Sequence, residues 1–145
     1  MSKSVFWFTL CAMLLALCLP AQAQQGSTVP RIGYLSQASR SEFDEAFLRG
    51  LRDLGYVEGK NIFIEFRFAE AKRDRLAELA TELVKLNVDV IVADSVATAA
   101  ARKITQAIPI VMTTGGDPVA AGLVASLARP GGNITGLSTQ SRDLA

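Results

Sequence analysis

The sequence predicts an α/β fold: a three-layer, doubly wound parallel five-stranded sheet in the order 2-1-3-4-5, with helices on both faces. Three observations predict it. Strand-like and helix-like stretches alternate from residue 31 to residue 138, the arrangement that right-handed βαβ crossovers produce. The run Val88-Asp89-Val90-Ile91-Val92-Ala93 is nearly continuous in β-branched residues, as a strand covered by helices on both faces requires. The run from Ile62 to Phe68 instead alternates, with Glu65 and Arg67 on one side, which suits a half-covered strand at a sheet edge.

The elements follow in order. Arg31 to Ser36 is a short buried-type strand after Pro30. Ser41 is a good N-cap, Glu42, Asp44 and Glu45 put negative charge in the first turn, and Phe43, Phe47, Leu51 and Leu54 recur at helical spacing. Gly55 stands where the helix needs a left-handed C′ residue. After the edge strand, Leu76, Leu79, Ala80, Leu83 and Leu86 form one stripe of a helix from about Arg73 to Leu86, ended by Asn87. The Val88–Ala93 strand leads into an alanine-rich helix that starts after Asp94 and runs to about Gln106. Ile108 to Thr113 is the fourth strand. Asp117 as N-cap and Pro118 at N1 then predict a fourth helix through Leu123, Val124 and Leu127, stopped at Arg129-Pro130-Gly131-Gly132-Asn133. Ile134 to Ser138 is the fifth strand.

Residues 1–23 read as a secretory signal peptide: Lys3, an uncharged run from Val5 to Leu19, the break at Pro20, and the small-x-small pattern Ala21-Gln22-Ala23. The run has 15 residues, short of the roughly 18 or more that a membrane span needs. An uncleaved anchor and a lipoprotein processed at Cys18 are the alternatives; Leu17 is large for the residue before a lipidated cysteine. Residues 24–30 read as a disordered leader, 31–138 as one lobe, and 139–145 as the truncated start of a crossover to a second lobe. The expected location is periplasmic or otherwise exported.

Both cysteines, Cys11 and Cys18, fall in the signal segment, and the chain has no histidine. Ser-His and Cys-His nucleophile pairs are therefore excluded, as are thiol and imidazole metal sites. The sequence has no G-x-S-x-G, no phosphate-binding G-x-x-x-x-G-K-[ST], and no G-x-G-x-x-G after its first strand. Beyond Ala23 it carries 14 basic and 14 acidic residues, with no basic run that would favour nucleic acid. No cofactor and no enzymatic activity are expected. An Asp94/Asp117 acid–base pair is the one catalytic alternative, against a capping role for Asp117.

In a 2-1-3-4-5 sheet the winding reverses between strands 1 and 3, and ligands lie beyond the carboxyl ends of the strands near that reversal. This nominates the loops Ser36–Ser39, Asp94–Val96, Thr114–Asp117 and Ser138–Gln140. Ser36, Gln37, Ser95, Thr114, Ser138 and Thr139 offer neutral donors and acceptors. The helix starts after Asp94 and Gly116 are expected to present free N–H groups able to hold a carboxylate.

Several stretches carry a family resemblance: "RIGYLS", "LRDLGYVEGKNI" and "GDPVAAGLVASLARPGGNITGLS". Over about residues 31–142 the chain closely resembles ABC transporter substrate-binding proteins of the tryptophan/tyrosine type, which have the type I periplasmic-binding-protein fold. The resemblance implies two α/β lobes hinged over a small-molecule solute, and delivery of that solute to an ABC permease in the inner membrane. It implies ligand contact from Ser36 and Gln37, from Asp94, Ser95 and Val96, and from Gly115, Gly116 and Asp117. It also implies that this chain is the first lobe only, with the second lobe missing, and that it binds little alone. A periplasmic sensing domain and a non-binding remnant are the alternative readings. Two residues depart from the family pattern: Asp94 stands where a small residue is usual, and Val96 where proline is common. A carboxylate at 94 repels an amino-acid carboxylate unless it points away or pairs with the ligand's amine.

Overall fold

A computed structural model of the chain describes residues 29–113 and 116–137. The expected signal peptide, most of the leader, Thr114, Gly115 and everything from Ser138 onward lie outside the described residues. The elements are β1 (Arg31–Ser36), α1 (Glu42–Asp53), β2 (Phe63–Phe68), α2 (Leu76–Lys85), β3 (Val90–Ala93), α3 (Ser95–Ile104), β4 (Ile110–Met112) and β5 (Ile134–Gly136). All strand pairs are parallel and the order is β2-β1-β3-β4-β5, as the sequence predicts.

Alternation along the strands divides the core in two. Ile32, Tyr34, Ile64 and Val92 pack with Leu48 of α1 on one face. Leu35, Ile91, Ala93, Ile110 and Met112 pack on the other, under Leu79 and Leu83 of α2 and Ala97 and Ala101 of α3. Each fully buried leucine or isoleucine here contributes about 1.5–3 kcal/mol. Gly33 explains how α2 comes so close to the sheet: a Cβ on it would lie 2.9 Å from Leu83 Cδ1.

The helix ends are built as their residues dictate. Asp44 reaches back to the N-cap, its Oδ2 accepting from the Ser41 N–H (2.6 Å) and hydroxyl (3.2 Å). Gly55 takes φ +87° past the end of α1. Asn87, at φ 52°, turns the chain after α2, as asparagine does more readily than most residues. A 3-10 turn at Arg73–Arg75 leads into α2, so the regular helix starts with its apolar stripe at Leu76, three residues after the expected start near Arg73.

The predicted fourth helix does not form among the described residues. Asp117 and Pro118 open a turn as expected, Asp117 Oδ1 accepting from Val119 and Ala120 N–H at 2.9 and 3.1 Å. The turn then closes at once. Gly122 adopts φ +67°, its N–H bonds Val119 O and the Leu123 N–H bonds Pro118 O, the paired bonds of a Schellman stop. Leu123 drops into the core, while Leu127 stays exposed. An early left-handed glycine overrode the helical spacing of Leu123, Val124 and Leu127. The observed strands β3, β4 and β5 are likewise shorter than their apolar runs.

Candidate functional site

Parallel pairing brings the carboxyl ends of β1, β3 and β4 to one edge of the sheet. There, on the α1 face, lies an open groove of about 460 Å³. Its floor is Tyr34 and Ser36 from β1, Asp94 after β3 and Thr113 after β4; its side wall is Ser41, Phe43, Asp44 and Phe47 from the start of α1. Phe43 and Phe47 are one helical turn apart, so both face the same way. Phe43 is 75% exposed, an aromatic ring presented to solvent at the groove rim.

Asp94 organises the edge. Its Oδ1 accepts from the Ala97 N–H at 2.9 Å and so caps α3. Its Oδ2 accepts from the Gln37 N–H at 2.6 Å and the Ser36 hydroxyl at 3.1 Å. One carboxylate thus ties the β1 loop to the start of α3. Of the N–H groups expected at the helix start after Asp94, that of Ala97 is already taken by Asp94 itself. The same holds after Gly116, where Asp117 takes the Val119 and Ala120 N–H groups and no helix follows.

Tyr34 is buried against Phe47, Phe66 and Phe68, with ring centroids 5.3, 5.3 and 6.2 Å away. Its phenol is held protonated well above the ordinary tyrosine range, by burial first, then by hydrogen bonding to Asp44, and then by the charges of Asp44 and Asp94. The groove lining therefore holds two carboxylates, three aromatic rings, hydroxyls and no Lys or Arg. Among the described residues no three carboxylates gather as a metal ion would need.

Of the residues nominated from the sequence, Ser36 and Asp94 line the groove, and Gln37 is bound to Asp94 through its backbone. Ser95 and Val96 form the first turn of α3. Gly116 and Asp117 belong to the turn after β4, outside the groove lining, and Gly115 lies outside the described residues. Sequence reasoning missed Tyr34, Ser41, Phe43, Asp44, Phe47 and Thr113 as site residues. A signal existed: Tyr34 shares a strand face with Ser36, and Phe43 and Phe47 lie at i and i+4 on the helix that follows.

A parallel 2-1-3-4-5 sheet with an open groove at the winding reversal is the architecture of a ligand-binding α/β lobe. The chain belongs to the ABC transporter substrate binding protein family, whose model matches residues 29–144. It is 40% identical over 111 residues to a tyrosine-binding protein of Clostridioides difficile, a match covering 74% of this chain and 32% of that protein. It resembles the structure of an ABC domain from Streptococcus pneumonia in complex with L-Trp, at 30% identity and a TM-score of 0.70, over 75% of this chain and 38% of the other. It also resembles the ligand-free, open structure of a substrate-binding protein with adhesive properties from Clostridium difficile, at 32% identity and a TM-score of 0.73, over 79% and 40% of the two chains. The chain thus spans about a third of the length of the tyrosine-binding protein it matches.

Proposed function

We propose that this chain is the first lobe of an exported solute-binding component of an ABC-type importer, and that it holds a small solute with an aromatic or apolar body without transforming it. The observation that carries this reading is the groove: Tyr34, Phe43 and Phe47 supply flat apolar surface, and Ser36, Asp94 and Thr113 supply polar groups that converge on it. Such a mixture of apolar lining and a few placed polar groups is what small-molecule sites present. The relatives named for tyrosine and bound to L-Trp support an aromatic solute. The apolar N-terminal segment ending in Ala21-Gln22-Ala23 supports export, and a membrane permease is the partner such a component serves.

The groove is open on one side, and a half-enclosed ligand keeps much of its water. The lobe alone therefore binds weakly, with a dissociation constant of about 1 mM or weaker. The test is a chimera in which residues 31–137 replace the matching lobe of the Clostridioides difficile tyrosine-binding protein. Isothermal titration with aromatic amines and amino acids is expected to give one-to-one binding at least about a hundredfold tighter than to the lobe alone. Binding that is equally tight without the second lobe, or a chimera that folds and binds none of these compounds, sinks the proposal.

A further inference from the structure

We infer that Asp94 sets the charge preference of the groove, occupying with its own carboxylate the anion seat made by Ser36, Gln37 and Ala97, so that this lobe receives an amine or a neutral donor and rejects a carboxylate there. The inference rests on the solute-binding reading above and deepens it. Three donors from two separate loops converge on one carboxylate: the Ser36 hydroxyl, the Gln37 N–H and the Ala97 N–H. That is the set of partners an incoming carboxylate would need, since backbone N–H groups at a helix start are the usual anion ligands. Here they are filled from within the chain.

The geometry also says what Asp94 has left to offer. A carboxylate has about four acceptor positions, and three are used by these contacts. The remaining one accepts from a donor in the groove, which Asp94 lines. The second carboxylate on the lining, Asp44, is 3% exposed and accepts from Ser41, adding negative charge to the same groove. Among the described residues of the lining no side chain is cationic. Burial first, and then Asp44 and Asp94, make Tyr34 hold its proton more tightly. An ammonium group on an aromatic body matches both the charge and the rings, because aromatic faces also attract cations.

The test is an NMR titration of the chain itself with acetate, tyramine and L-tyrosine, reading the amide signals of Gln37, Ser95 and Ala97. In the native chain tyramine is expected to shift these signals, acetate to leave them unmoved, and L-tyrosine to bind about tenfold more weakly than tyramine. In Asp94→Gly the vacated donors are expected to respond to acetate, with L-tyrosine gaining and tyramine losing about tenfold. Asp94→Asn keeps an oxygen to cap α3 but not the charge; it is expected to lose the tyramine preference, and it serves if the glycine variant does not fold. Native signals that move with acetate, or a native preference for L-tyrosine over tyramine, overturn this inference and leave the solute-binding reading standing. Groove signals that no probe moves in any variant overturn this inference, while the solute-binding reading stands or falls with the chimera.

Discussion

Tyr34 shows how one side chain serves the core and the groove together. Its ring joins the aromatic cluster with Phe47, Phe66 and Phe68, while the residue also lines the groove beside Asp44 at the start of α1. Because the phenol is held protonated above its ordinary value of 10.0, the folded state binds its proton more tightly than the unfolded chain does. Its contribution to stability is therefore fully present below about pH 10 and is lost as the pH rises from there toward the raised folded value. Urea unfolding of the native chain and Tyr34→Phe at pH 7 and across pH 9–11 checks this. The variant is expected to change stability by no more than about 1 kcal/mol at pH 7, since it keeps the ring and its aromatic packing. Its stability falls less steeply above pH 10 than the native chain's; parallel slopes for the two proteins refute the assignment. Asp94 teaches the complementary lesson. Its identity and its place before a helix were readable from the sequence, and so was its proximity to Ser36 once the strand order was fixed. That its carboxylate turns back to Gln37 was not, because the side-chain direction depends on a tertiary contact 57 residues away in sequence.

At the scale of elements, the apolar patterns located every strand and the first three helices, and they failed where a local stop signal competed with them. The stretch after Asp117 has helical spacing, but Gly122 in a left-handed conformation ends the turn after Val119–Ala121. Spacing reports which residues a helix would bury; it does not report where backbone carbonyls find another partner. The packing of α2 on β1 was equally hidden. Gly33 reads as an ordinary strand residue, yet its missing Cβ is the space that Leu83 fills, with Leu83 Cδ1 2.9 Å from where a Cβ would be. Gly33→Ala is expected to destabilise by about 1–3 kcal/mol through overpacking, and Leu83→Ala by about 2–5 kcal/mol through a cavity. Combined, the new methyl occupies part of the vacated volume, so the double variant is expected to be less destabilised than the two costs added together. Chemical denaturation of the four proteins measures the coupling, and strict additivity would show that the two residues do not share this space. Gly136 sets a harder limit: at φ +141° a Cβ would lie against the Met112 backbone, which cannot yield as a leucine tip can. Gly136→Ala is accordingly expected to lower the melting temperature more than Gly33→Ala does.

At the scale of the molecule, the described helices cover the two faces of the sheet unequally, and the winding assigns each helix to its face. The β1–β2 connection runs one way and puts α1 on one face; the β2–β3 and β3–β4 connections run the other way and put α2 and α3 on the opposite face. Among the described residues the β4–β5 side of the α1 face has little cover: Val111 is only half-buried, Thr135 is exposed, and Leu137 is 70% exposed. The alternation of elements in the sequence contained the face of each described helix, since strand order and crossover hand together assign it. It did not contain the depth of the groove, which depends on how far Phe43 and Asp44 lean over the strand ends. Unequal cover has a measurable consequence. β3 is paired on both sides and packed on both faces, whereas β5 contributes one buried side chain, Ile134, and pairs through β4. Opening β5 therefore exposes little apolar surface, while opening β3 dismantles both clusters. Native-state hydrogen exchange is expected to show the amides of Ile91 and Ala93 exchanging only through global unfolding, and those of β5 exchanging faster through a local opening that denaturant barely affects. Equal protection of β5 and β3 would mean that the β4–β5 side is held as firmly as the centre of the sheet.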